Sequence, residues 1–247
     1  MCGSALQCFQ NEDKRVRMPK TDTIFKYQGW HLLAVVISMG TCCWFAAYDP
    51  HIAEGELLGI GSKAWFVVAF LVPVLHQIYV AVVWRLELYR DFFTRRYGLK
   101  KAFGRYKTGF SLLFGSRLLF IIPLAVSNAD TLEMPAWYGY LGAAVLTPVA
   151  GYLFYSVKTY FTIDRAYGID HFDKHYREPF VKQGIFRFSD NAMYVFGLSI
   201  LYIPGLLTLS YAALVVAAFN HLYIWVHYLT VERPDMECIY GKTPSAG

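Results

Sequence analysis

The sequence is organised by long apolar blocks, and these decide most of what the chain can fold into. Four of them, residues 29–47, 64–84, 110–127 and 136–157, are each close to the ~20 residues that cross a bilayer as a helix. Apolar residues fill each block instead of forming one stripe, which excludes a surface helix of a soluble domain. A fifth block, 192–229, is nearly twice too long for one crossing. Pro204-Gly205, followed by Thr208 and Ser210, marks the expected point where it turns back. The chain is therefore expected to be an all-α polytopic membrane helix bundle of about six membrane segments, ending in a helical hairpin. The composition agrees: 56% of residues are hydrophobic and only 17% charged, against about 25% in soluble domains.

Charge alternates between the loops. Loop 85–109 carries Arg85, Arg90, Arg95, Arg96, Lys100, Lys101, Arg105 and Lys107, and segment 158–190 is also basic. Loop 48–63 has Lys63 against Asp49, Glu54 and Glu56, and loop 128–135 has only Asp130 and Glu133. With the basic N-terminal stretch (Lys14, Arg15, Arg17, Lys20, Lys26), the positive-inside rule puts both termini in the cytosol. The net charge of +5 is thus a topology signal. Its split between separate loops excludes a nucleic-acid footprint.

Residues 1–28 are polar and read as a cytosolic segment, and no signal peptide is expected. Cys2, Cys8, Cys42, Cys43 and Cys238 show no paired spacing, which argues against disulfides or a zinc site. His171 and His175 are four apart, but no third ligand is evident, so no metal is expected. Arg117 lies inside the third block, seven residues from its basic edge, where snorkelling to the surface is the expected outcome.

Polar residues gather toward the C-terminus. Segment 158–191 holds Asp164, Arg165, Asp170, His171, Arg187, Asp190 and Asn191, and beyond the hairpin come His227, Glu232, Arg233, Asp235 and Glu237. A hairpin brings its ends together, so Asn191–Tyr194 and His227–Glu237 are expected to be neighbours. The stretch Gly184-Ile-Phe-Arg-Phe-Ser-Asp-Asn191-Ala-Met-Tyr194 resembles the segment before the hairpin in phospholipid and isoprenylcysteine methyltransferases. Asn191-Ala192-Met193-Tyr194 is closer to the Asn-Pro-Met-Tyr of the phospholipid branch. After the hairpin, Val231-Glu232-Arg233-Pro234 and Glu237-Cys238-Ile239-Tyr240-Gly241 resemble the family's glutamate pair and acidic-aliphatic-tyrosine element. Ala192 stands for the family proline, Val231 for the first glutamate, and Gly142-Ala143-Ala144 for a glycine-x-glycine.

The resemblance covers roughly residues 136–241. It divides the chain into a segment 1–28, membrane helices 29–135 of unnamed role, and a methyltransferase-like core 136–247. It implies S-adenosylmethionine in a cytosol-facing pocket, contacted by Gly184, Phe186, Arg187, Asn191, Tyr194, Glu232 and Glu237. It implies a membrane lipid as acceptor, most simply the amine of a phosphatidylethanolamine-type headgroup, in the endoplasmic reticulum or a bacterial inner membrane. Asp190, His227 and Glu232 are the candidate bases for the amine proton. Other readings stay open: carboxyl methylation of a prenylated cysteine, a membrane sterol or steroid reductase, or a non-enzymatic membrane protein. The small residues Gly139, Gly142, Ala143 and Ala144, expected opposite Gly197 and Ser199, suit either a lateral lipid entrance or close helix packing.

Overall fold

The computed structural model describes residues 24–241. The basic residues at 14–20, Cys2 and Cys8 lie outside that range. Each of the four single blocks has become a helix, α1 (Gln28–Tyr48), α3 (Ser62–Arg90), α5 (Leu99–Ser127) and α6 (Ala136–Ser156), and so has the second limb of the fifth, α10 (Tyr211–His227). Five helices are long and apolar enough to cross a membrane, namely Gln28–Tyr48, Ser62–Arg90, Leu99–Ser127, Ala136–Phe161 and Tyr211–Tyr240. A sixth apolar segment, Ala192–Thr208, is shorter. The all-α polytopic bundle is what the blocks imply. The sole sheet among the described residues is a two-stranded hairpin, β1 (Glu56–Leu57) on β2 (Ile60–Gly61), placed after the short α2 (Pro50–Ala53).

The first hairpin limb is not one helix. It runs as α8 (Ala192–Phe196), a 3-10 turn (Ser199–Leu201) and α9 (Tyr202–Thr208). The chain then reverses at Leu209, in left-handed backbone (φ 52°), and Ser210. Pro204-Gly205 is therefore not the turn. Pro204 sits in the first helical turn of α9, where its missing N–H has no helical carbonyl to meet. The reversal is instead fixed by caps. Ser210 accepts from the Ala213 N–H. Buried Asn128, from the loop between α5 and α6, accepts from the Ser210 hydroxyl (3.0 Å) and the Ala212 N–H (2.9 Å), while donating to the carbonyls of His51 (2.7 Å) and Glu54 (3.0 Å).

These bonds gather the loops after α1, α5 and α9 at one end of the bundle. The loops of alternate charge gather at the other, where Gln28 reaches the Thr230 carbonyl (3.3 Å), Lys174 pairs with Asp91 (2.6 Å) and Lys107 with Asp164 (2.7 Å). The core between the ends is built from both halves of the sequence. Phe66 and Phe70 of α3, Ile121 and Leu124 of α5, and Ala213 and Val216 of α10 form one cluster, with Phe70 stacked on Phe219 at 3.7 Å. Apolar side chains also point outward, among them Leu32, Val36 and Ile37 of α1, and Leu119 and Ile122 of α5. A lipid-facing bundle needs this; a soluble one would not tolerate it.

The small residues of α6 serve packing. A Cβ on Gly139 would strike the Leu206 carbonyl, and one on Gly142 would lie 3.2 Å from the Leu206 side chain, while Gly197 abuts Leu153 instead. Gly139 and Gly142 thus face Leu206 of α9, not Gly197 and Ser199 as expected. Two helices also change pitch at the loop-rich end: α6 continues into a π-helical turn, Val157–Phe161, and α10 into another, Tyr228–Glu232, before α11 (Arg233–Tyr240).

Candidate functional site

The end of the bundle that carries the C-terminal tail holds a buried polar cluster. Trp84, Arg85 and Tyr89 come from the last turns of α3. Asp170 and His171 come from a 3-10 turn (Ile169–His171) that follows the short α7 (Ile163–Ala166). Asp235 and Tyr240 come from α11. His171 Nδ1 lies 3.1 Å from Asp170 and its Nε2 3.6 Å from Asp235. The other Asp235 oxygen meets Arg85 Nε at 3.2 Å and accepts from the Tyr89 hydroxyl at 3.2 Å. Tyr240 donates to Asp170 (3.1 Å), and Arg85 donates to the Thr230 carbonyl (3.0 Å). The Trp84 indole stacks on His171 at 3.9 Å. It presses on Gly168, whose left-handed backbone (φ 79°) and missing Cβ make room for it.

The electrostatics of the pair Asp170–His171 follow from that geometry. Burial pulls the His171 pKa down, but the bonds and charges of Asp170 and Asp235 outweigh it and hold the imidazole up at about 9. Burial raises Asp170, but the bond and charge of His171, the Tyr240 hydroxyl and Arg165 bring it below the ordinary carboxylate value. Glu232, one turn ahead of Asp235, feels the charges of His171, Asp170 and Asp235. No hydrogen bond or ion pair joins its carboxyl group to any described residue. The cluster thus sets three carboxyl groups (Asp170, Asp235, Glu232) beside two cationic side chains (Arg85, His171).

Of the residues expected in the site, His227 and Glu232 lie at this cluster. His227 is buried, 5.5 Å from the Trp84 ring and 6.4 Å from that of His31, and its Nδ1 has no partner among the described residues. Tyr194 is buried at the hairpin's start, its ring 5.1 Å from Tyr228 and 5.6 Å from Trp225 on the other limb, so the hairpin ends do meet. Asn191 occupies the N-cap position of α8 through its carbonyl, which accepts from Tyr194 and Val195, and its side chain makes no cap bond.

The other expected residues are engaged differently. Gly184 (φ 60°) leaves room for Ser156, whose hydroxyl accepts from Ile185 N–H at 3.0 Å. Phe186 stacks on Phe161 (5.0 Å) among Leu153, Val157 and Ala192. Both fasten the 3-10 turn Gly184–Arg187 onto the end of α6. Arg187 is exposed above the Phe188 ring, Asp190 is exposed, and Glu237 pairs with Arg233 at 3.6 Å along α11.

Arg117 does not snorkel. It is 3% exposed and donates to Asn220 Oδ1 (3.1 Å), with His76 Nδ1 at 2.9 Å. The three residues, from α5, α10 and α3, form a second polar cluster inside the membrane span. His76 and Asn220 supply acceptors that a lone arginine in an apolar block does not announce, so the bundle interior competes successfully with water.

Residues 138–243 match the model of the phospholipid methyltransferase family. Over that region, less than half of the chain, the sequence is similar to that family. No curated protein and no solved structure matches the chain. The matched region thus runs from the first turn of α6 to just past α11, and it contains Asp170, His171, Tyr194, His227, Glu232 and Asp235. The side chains that close the cluster from the opposite side, Trp84, Arg85 and Tyr89, lie outside it. Sequence reasoning missed these three. Their one signal is a tryptophan and an arginine placed where an apolar block ends, and nothing local names a partner about 145 residues away.

Proposed function

We propose that this membrane-embedded chain is a phospholipid methyltransferase that transfers a methyl group from S-adenosylmethionine to the amine of a phosphatidylethanolamine-type headgroup. The observation that carries this reading is Glu232, an acid without a described partner, beside a cluster whose other two carboxylates are matched by Arg85 and His171. A bound cation would complete the count, and both the cofactor and an ethanolamine headgroup bring one.

S-adenosylmethionine, when bound, supplies a methyl group on a positively charged sulfur. Glu232 is suited to hold a cationic part of it through a charge-assisted bond. Tyr194 and Tyr228, on the two limbs of the hairpin, offer aromatic faces to the same charge. An ethanolamine ammonium must lose a proton before its nitrogen can attack. His227, with a bare Nδ1, and Glu232 are the groups placed to take it. Asp190, exposed to solvent, is the less suitable base. The buried setting keeps water from competing with the amine, and fixing the two reacting atoms within about 3–3.5 Å supplies much of the rate. The basic residues of loops 85–109 and 158–190 support a cytosolic placement of this end.

The test uses purified protein in mixed micelles, given labelled S-adenosylmethionine and a total lipid extract. Label is expected in the methylated derivatives of phosphatidylethanolamine. Label confined to a prenylated-cysteine acceptor, or absent from every lipid, would overturn the reading.

A further inference from the structure

The tail that carries Glu232 is held by a residue outside the matched region. Arg85, from α3, donates to the Thr230 carbonyl at 3.0 Å and pairs with Asp235 at 3.2 Å. These two contacts fall two residues before and three residues after Glu232, so one guanidinium brackets it. Thr230 lies within the π-helical turn Tyr228–Glu232, where the change of pitch leaves backbone carbonyls for outside donors. Asp235 follows in the first turn of α11. Its side chain is fully buried, and Arg85 is 4% exposed. Tyr89, one turn beyond Arg85 on α3, adds its hydroxyl to the same Asp235 oxygen, and His171 approaches the other.

We propose that Arg85, Tyr89 and Asp235 form a latch by which the N-terminal membrane helices set the position of Glu232. This assigns a role to a part of the chain that the family match leaves without one. A π-helical turn is a wider winding that an α-helix adopts only when something outside it favours the extra residue. Two buried contacts on either side of one residue fix the rotation of the tail, because turning it would break both and strand a buried charge. Arg85 and Asp235 are positioning residues: they act on the cofactor through Glu232. The proposal rests on the reading that Glu232 holds the cofactor, and the test separates the two.

Affinity for S-adenosylmethionine is measured by calorimetry on the full chain in detergent, for wild type, Glu232→Ala, Asp235→Asn and the double variant. Thermal unfolding of each variant is followed in parallel. Glu232→Ala and Asp235→Asn should each weaken binding about tenfold, the coupling expected of groups in one network. In the Glu232→Ala background, Asp235→Asn should change affinity less than twofold, because the latch then has nothing to position. A further tenfold loss in that background would make the effects additive and overturn the latch. Wild-type affinity for Glu232→Ala would instead remove the cofactor reading, and the latch with it. If Asp235→Asn fails to fold, Tyr89→Phe takes its place: it deletes one bond and leaves both charges. It should weaken binding at least twofold with Glu232 present and not at all without it. Equal affinity of Tyr89→Phe and wild type would overturn the proposal.

Discussion

Deprotonating His171 should loosen the protein from the alkaline side. Its imidazole is buried between Asp170 and Asp235, stacked on Trp84, with Glu232 and His227 as the further titratable groups around it and Arg85 across Asp235. The folded pKa of about 9 lies above the ordinary 6.5. A group with a raised pKa stabilises the fold fully below its unfolded value and loses that contribution as pH climbs through its folded value. At about 1.4 kcal/mol per pH unit, the gap is worth about 3–4 kcal/mol. For a chain of this size that is about 6–15 °C in melting temperature. Asp170 has the opposite sign. Its lowered pKa gives stability that is present above 3.8 and is lost as pH falls through its folded value. Both contributions are therefore complete between about pH 4 and 6.5. The assay is thermal unfolding in detergent from pH 4 to 10, for wild type and His171→Gln. Wild type should lose several degrees between pH 7 and 10. The variant should start lower at pH 6.5 and lose much less over the same range. Parallel profiles for the two proteins across pH 7–10 would refute the assignment of the charge to His171.

Three more outcomes are expected. Gly168→Ala should destabilise the fold by about 2–4 kcal/mol in the same assay, because it forces a side chain into left-handed backbone and sets its Cβ 2.5 Å from the Trp84 ring; a change below 1 kcal/mol, within the noise of such mutations, would contradict the packing. Asn220→Leu should destabilise by about 2 kcal/mol or more, since it leaves the buried Arg117 with one acceptor fewer, whereas Arg117→Met removes the charge together with its desolvation cost and should be milder; melting temperatures in the reverse order would count against a charged Arg117. In sealed vesicles, with the native cysteines replaced, an impermeant thiol reagent should label Glu56→Cys and Lys101→Cys from opposite sides, the latter from the cytosol; labelling of both from one side would break the topology.

The elements that were legible in the sequence are those whose cause is local. A block such as 64–84 needs no partner to declare itself, because the bilayer is the partner. The hairpin was legible as a fact and not in its detail. Pro204-Gly205 carries the local turn signal, but a proline is harmless in the first turn of α9, and Asn128, a distant loop residue, holds the actual reversal at Ser210. The candidate site divides in the same way. His227 and Glu232 could be named because they flank the hairpin. Gly184 and Phe186 could also be named, but the structure uses both to fasten a turn onto α6. Arg85 and Trp84 read as the ordinary basic and aromatic end of a membrane helix, since what distinguishes them is contact with residues 171, 230 and 235. Arg117 was misplaced for the same reason: His76 and Asn220, on two other helices, make the interior polar enough to keep it.

The π-helical turn at Tyr228–Glu232 has a consequence for how the tail is encoded. Such a turn amounts to one residue inserted into an α-helix, and one residue advances the helix face by about 100°. Removing a single residue there, with every chemical group of the tail retained, would let α10 run straight into α11 and swing Glu232 and Asp235 about a quarter-turn around the axis. The acid and its latch partner would then face away from α3. In this chain, spacing is itself a functional residue: a one-residue gap in the tail would silence it as surely as the loss of a side chain.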